Sequence, residues 1–216
     1  TADWLVARGG TVILTETTEM IGTERLLARR AVTPELGERI QSSVESQRRK
    51  TERYLGEYAA RVISPGNIEG GLSSISEKSL GCIIKAGSSS IQELVGYGQR
   101  PQRNGLVIME GPGSDLFSLT GLAAAGAQLI VFTTGRGTPV GFPLVPVIKV
   151  ASNSELYANM KDDIDLNAGQ AIEGKSIPEV GAQLRRLLER VVGGAQTRAE
   201  INRQEMLAIF SEGPAF

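Results

Sequence analysis

Four short aliphatic runs constrain this chain most: TVIL at Thr11–Leu14, GLVIM at Gly105–Met109, LIVF at Leu129–Phe132 and VPVIKV at Val145–Val150. Short apolar, largely β-branched runs of this kind predict buried strands. The fourth is entered through Pro146, which predicts an edge strand. Helical patterns lie between and after them. Ala2–Arg8 reads as the end of a helix stopped by Gly9-Gly10. Thr33-Pro34-Glu35 supplies a cap, a proline at the first helical position and an acid in the first turn. Leu36, Ile40 and Val44 then recur on one face, and Ser64-Pro65-Gly66-Asn67 breaks the pattern. Ser118–Ala127 reads as a helix of small residues, and Ser152 or Asn153 caps a short helix reaching Met160. Ser176-Ile177-Pro178-Glu179 opens a helix with Val180, Leu184, Leu187, Leu188 and Val191 on one side. Thr197–Phe210 reads as a final helix. Strands alternating with helices predict a layered α/β fold: a largely parallel, Rossmann-like sheet flanked by helices, with a helical C-terminal segment. Residues 1–175 are expected to form the α/β domain, and residues 176–216 helices that pack on it or extend it.

In such sheets ligands sit beyond the carboxyl ends of the strands. The four runs lead into Thr15-Glu16-Thr17, Glu110-Gly111-Pro112-Gly113-Ser114-Asp115, Thr133-Thr134-Gly135-Arg136-Gly137-Thr138 and Ala151-Ser152-Asn153. As parallel neighbours they would bring these polar segments to one rim. The residue inventory narrows the chemistry there. The chain contains no histidine, which removes histidine-based nucleophilic catalysis and self-contained zinc sites of the His/Cys kind. A single cysteine, Cys82, excludes an intrachain disulfide framework and fits a reducing, cytoplasmic setting. Net charge of −1 without a basic patch argues against nucleic acid or an anionic membrane as partner. No apolar run nears the roughly 20 residues of a membrane-spanning helix, and no signal peptide is visible. Carboxylates, lysine, arginine, hydroxyls and backbone amides are left to carry any reaction.

Within TTGRGT, two glycines flank Arg136. The glycines let backbone amides approach an anion, and a guanidinium grips a carboxylate through two hydrogen bonds. The competing reading is a tight turn with a surface arginine. Asp115 is either a ligand or the cap of the next helix. DDIDLNAG places Asp163, Asp165 and Asn167 at the first spacings of a calcium loop, but Ala168 and Gly174 break the match. The stretch GGLSSISEKSLGCIIKAGSSS, Gly70–Ser90, is rich in small polar residues and reads as a loop. Glu77-Lys78 within it is a charge pair, exposed and inert or else tuned for proton transfer. Gly87-Ser88-Ser89-Ser90 either presents amides and hydroxyls to a carboxylate or caps a helix starting at Ile91.

Taken in order, GGTVILTETTE, SPGNIEGGLSSISEKSLG, FTTGRGTPVG and DDIDLNAG resemble the altronate/galactarate dehydratase family, over Leu5 to about Gly174. The family's pattern falls on Glu16 and Glu19, Pro65-Gly66-Asn67, Gly70-Gly71, Glu77-Lys78, Gly81, Pro112-Gly113, Asp115, Thr133–Gly137, Asp163, Asp165, Asn167 and Gly169. GPGSD and LSSIS depart from the family's usual wording, which bears on the particular substrate. The resemblance implies dehydration of a sugar acid to a 2-keto-3-deoxy acid, with a divalent metal, typically Fe2+ or Mn2+, Mg2+ or Ca2+ being alternatives. It further implies an N-terminal region or separate small subunit beyond this chain, and a homo-oligomer. On this reading Lys78 and Glu77 are catalytic. Arg136, Thr133, Thr134, Gly135, Gly137, Asn67 and Ser88 bind substrate, and Glu16, Asp115 and Asp163 are candidate metal ligands. Two other readings compete: a carbon–sulfur lyase acting on a sulfolactate-like acid, and a sugar-acid-binding or assembly fragment without activity of its own.

Overall fold

Every residue of Gly105–Met109 (β3) is buried, as is every residue of Val147–Ala151 (β5). Strands buried on both faces belong in the middle of parallel sheets covered by helices, which is why they read as unbroken aliphatic runs. The structure, a computed structural model, describes residues 1–56 and 73–210. Its strands form two separate three-stranded parallel sheets, not the single rim expected from the sequence. They lie in two compact units, Ala2–Ser114 and Asp115–Phe216, the latter joined by Thr1.

The first unit runs Ala2–Val6 (α1), Thr11–Leu14 (β1), Glu24–Ala28 (α2), Pro34–Leu55 (α3), Ile75–Ile84 (α4), Ile91–Val95 (β2) and β3. Its sheet order is β1-β3-β2, with Thr11 opposite Gly105 and Val95 opposite Met109. The Thr33 hydroxyl accepts from the Leu36 amide and caps α3. Leu36, Ile40 and Val44 then lie in one core with Leu27, Ile83, Leu94, Leu106 and Ile108. The helix ends at Gly56, whose φ of 54° suits glycine. The expected break at Ser64–Asn67 lies outside the described residues. Two readings are corrected here. The Ser-rich stretch is not a loop throughout: Ser74 accepts from the Glu77 amide and starts α4 at Ile75. Ile91 begins no helix. It is the first residue of β2, fully buried against β3 and the core helices.

The second unit runs Asp115–Ala124 (α5), Ile130–Thr134 (β4), β5, Ser154–Asn159 (α6), Leu166–Asn167 (β6), Ile177–Val192 (α7) and Arg198–Ile201 (α8). Its sheet order is β4-β5-β6. The fourth apolar run is therefore central. Pro146 stands just before β5 and gives up no ladder bond, and its carbonyl accepts from the Ile130 amide. Alternate β5 side chains serve opposite cores. Val147 packs with Leu119 of α5, whereas Ile148 and Val150 pack with Leu184, Leu187, Leu188 and Val191 of α7. Asn153 caps α6, and Ser176 with Glu179 forms a complete capping box on α7. The final helix is shorter than expected. Thr197 and Glu200 cap it, but Arg203 at φ 54° turns the chain, and the Met206 amide bonds to the Gly141 carbonyl instead. No helix among the described residues is long and apolar enough to cross a membrane.

Candidate functional site

At the carboxyl end of the first sheet, two strand exits are laced together. The Thr15 hydroxyl donates to the Met109 carbonyl at 3.2 Å. The Thr17 hydroxyl donates to the Gly111 carbonyl at 3.2 Å and accepts from the Gly111 amide at 3.3 Å. Between them Glu16 adopts the left-handed conformation, φ 69° and ψ 57°, which a non-glycine residue holds at a cost and which clusters at functional sites. The strained residue leads into a 3-10 turn, Thr17–Met20. That turn delivers Glu19 to Lys78 on the first turn of α4, with Oε2 and Nζ 2.6 Å apart. The two side chains are 21% and 27% exposed. The Ser79 hydroxyl donates to the Ile21 carbonyl at 2.7 Å and fixes α4 against this turn.

Lys78 thus pairs with Glu19, not with its sequence neighbour. The Glu77 carboxylate instead accepts from the Ser73 amide and hydroxyl, which hold its pKa below the ordinary value. Nearby, burial pushes the Cys82 thiol up despite the approach of Lys85. Glu110, at the exit of β3, accepts from the Ser43 hydroxyl at 2.5 Å beside a groove lined by Glu35, Glu38 and Arg39.

Ser88 does present its amide and hydroxyl to a carboxylate, but the carboxylate is the chain's own Asp3 on α1. Ser89 does the same through its amide and hydroxyl, and Arg30 donates to the Ser89 carbonyl. These donors, the Ser89 hydroxyl foremost, hold the Asp3 carboxyl at about 2. The cluster precedes β2 and so lies at the amino end of the sheet. Asn67, with Pro65, Gly66, Gly70 and Gly71, lies outside the described residues.

The second sheet has its own carboxyl-end rim. The Thr134 hydroxyl accepts from the Gly137 amide at 2.9 Å, closing a turn in which Gly137 has φ 95°. Asn153 both caps α6 and donates to the Gly135 carbonyl. Arg136 sits exposed at the turn's tip, following Thr133 and Thr134 of β4. Asp115 is the first residue of α5 and exposed, an acid at a helix start without being the cap itself. Apart from the exposed Asp162, the polar groups of DDIDLNAG turn inward. Asp163 accepts from Gln204 at 2.6 Å, Asp165 accepts from the Lys149 and Arg198 amides, and Asn167 holds Ser154 and the Gly169 amide.

They surround a residue that sequence reading missed. Lys149, in the middle of β5, is fully buried, and its ammonium donates to the Pro139 carbonyl at 2.6 Å and to Gln204 at 3.1 Å. Burial lowers its pKa and raises that of Asp165. The signal was a lone lysine inside VIKV, a strand with no polar face to take it. Among the described residues no three His, Cys, Asp or Glu side chains gather as a metal-holding group.

Residues 1–215 match the family model for D-galactarate/altronate dehydratase, C-terminal. The chain is 38% identical over 215 residues to the altronate dehydratase of Escherichia coli (strain K12), covering 98% of this chain and 42% of that protein. It is 39% identical over 216 residues to the altronate dehydratase of Bacillus subtilis (strain 168), covering 98% of this chain and 42% of that protein. It is 38% identical over 216 residues to the galactarate dehydratase (L-threo-forming) of Escherichia coli (strain K12), covering 99% of this chain and 41% of that protein. The chain therefore spans about two fifths of the length of these curated relatives.

Proposed function

Because this chain belongs to the D-galactarate/altronate dehydratase family, we propose that it is the C-terminal part of a hydro-lyase that removes water from a sugar acid such as altronate or galactarate. The product is a 2-keto-3-deoxy acid. The observation that carries the site assignment is the Glu19–Lys78 pair, partly shielded, at the carboxyl end of a parallel sheet where ligands of such folds bind.

A general base takes the proton from the carbon beside the carboxylate, and a general acid protonates the hydroxyl of the next carbon, which leaves as water. The resulting enol then becomes the ketone. The intermediate carries its charge on the carboxylate as an enediolate, and a fixed cation stabilises it most where water is excluded. Lys78, held by Glu19, supplies that cation. Glu19 takes the place first given to Glu77, whose carboxylate is committed to Ser73. In the second unit, taken by itself, Arg136 at the tip of the Thr133–Gly137 turn offers a guanidinium to which a carboxylate could bind. The described residues hold no ligand set for Fe2+ or Mn2+. If the whole protein uses such an ion, Glu16, Asp115 and Asp163 stay the candidates of this chain and would each need partner ligands from the rest of the protein; the roles above rest on side chains and backbone alone.

The test is turnover of altronate and galactarate by the complete protein and by its Lys78→Met variant. Methionine keeps the apolar stem and removes the charge. Loss of turnover with the fold retained supports the assignment, and near-wild-type kcat removes Lys78 from the mechanism. Turnover of a sulfonated hydroxy acid in place of both sugar acids would establish the carbon–sulfur lyase reading.

A further inference from the structure

Gly113 poses a question that its backbone does not answer. Its φ lies outside the left-handed range, so a positive φ is not what demands glycine here. The reason for glycine is space. A Cβ built there would stand 2.7 Å from Glu19 Oε1, 2.9 Å from the Thr18 hydroxyl oxygen and 3.2 Å from Glu19 Cγ. The other carboxylate oxygen of Glu19 is the one that holds Lys78 Nζ at 2.6 Å. The Glu19 carboxylate is thus wedged between the bare Cα of Gly113 and the Lys78 ammonium. On the same side, the Thr18 hydroxyl is buried with no hydrogen-bond partner, so it offers Glu19 no second anchor. Neighbouring Gly111 is built on the same rule: its Cβ would stand 2.8 Å from the Thr15 hydroxyl oxygen. The loop GPG is therefore cut to fit the threonine-rich turn that carries Glu19.

We infer that Gly113 is a positioning residue that acts through Glu19 to set where the Lys78 ammonium sits. The inference rests on the reading of Lys78 as the stabilising cation, and adds that the strand-exit glycine is part of the same device. An alanine at 113 meets two groups: the Glu19 carboxylate, the far end of a flexible side chain that can swing aside, and the buried Thr18 hydroxyl, on a β-branched side chain that yields less. The ion pair therefore takes damage through Glu19, and the melting temperature reads the share that falls on Thr18. A displacement of about an ångström in a charge-stabilising group is enough to cost about 10- to 100-fold in rate.

The experiment uses the complete protein and measures kcat, KM and melting temperature for Gly113→Ala, Glu19→Gln, Glu19→Asp and the double variant Gly113→Ala/Glu19→Gln, with Lys78→Met alongside. The expected result is a fall in kcat of about 10-fold or more in Gly113→Ala and in Glu19→Gln, with KM changed less than about threefold. In the Glu19→Gln background, where the ion pair is already gone, Gly113→Ala should cost less than about threefold further. Equal cost of Gly113→Ala in both backgrounds would show that it acts through packing and overturns the inference. Wild-type kcat in Gly113→Ala together with a dead Lys78→Met also overturns it, while leaving the Lys78 assignment standing. Wild-type kcat in Lys78→Met removes both.

Discussion

Replacing Asp3 by asparagine tests the account of the amino-end cluster. Aspartate at this position accepts from two amides and two hydroxyls, and Arg30 lies within its field. Asparagine keeps one acceptor and turns an NH2 group toward donors that cannot receive it. A carboxyl held at about 2 against an ordinary 3.8 corresponds at full strength to roughly 2.4 kcal/mol. The group is partly open to water, and screening reduces this to about 1 kcal/mol. The sign follows from the depressed folded value. The stabilisation is fully present above the unfolded pKa, near 3.8, and is lost as pH falls through about 2. Urea unfolding of the 216-residue chain at pH 7 should therefore show a lower midpoint for Asp3→Asn by about 0.5 M at a slope of about 2 kcal/mol per molar. The gap should close as both proteins are taken from pH 4 toward pH 2. A gap that is absent at pH 7, or that persists unchanged to pH 2, would refute the reasoning.

Lys149→Met removes the ammonium that ties Gln204 to the Pro139 carbonyl. Hydrogen exchange at the Gln204 and Met206 amides, both bonded in this structure, should then quicken at least about tenfold, and unchanged protection would count against the tie. Gly137→Ala forces a side chain into φ 95° against Leu156 and Met160 and should cost about 1–3 kcal/mol, read as a melting temperature lower by several degrees. Ile40→Ala empties a fully buried site in the first core and should cost about 2–5 kcal/mol, read from the urea midpoint. The isolated chain should fold yet turn over little altronate or galactarate, measured with Fe2+ or Mn2+ supplied, because it spans only 42% of its relatives and leaves Lys78 27% exposed; full activity would show that its own loops complete the site.

The helices were legible because their ends are written in side chains. Thr33, Asn153 and Ser176 each accept the amide that the sequence offered them. The central strands were legible because burial on both faces demands unbroken aliphatic runs. What was hidden depended on long-range partners. IQELV alternates too weakly to announce β2, and only its place beside β3 makes it a strand. Nothing local tells Lys78 to choose Glu19 over Glu77, since that choice follows from where the turn after β1 meets α4. Four strand exits on one line of text gave no sign that two belong to one sheet and two to another. Lys149 was in plain view, but its partners Pro139 and Gln204 lie on segments that only the fold assembles.

The strand order of the first sheet also sets a timetable for synthesis. β1 and β2 never pair with each other, because β3 lies between them. A nascent chain that has emerged through Val95 therefore carries two strands still lacking the strand that pairs them; beyond Ile91, which bonds to Arg30 and Val32, the β3-facing amide and carbonyl rows are open to neighbours. The sheet closes only when Gly105–Met109 arrives and slots into the middle. At roughly 5–20 residues per second, about ninety residues separate the appearance of β1 from that moment, an interval of roughly 5–20 s. The second sheet has no such gap, since β4, β5 and β6 are laid down in the order in which they pair. Chaperone occupancy on stalled ribosomes should accordingly peak between Val95 and Met109 and fall once the middle strand has cleared the exit tunnel.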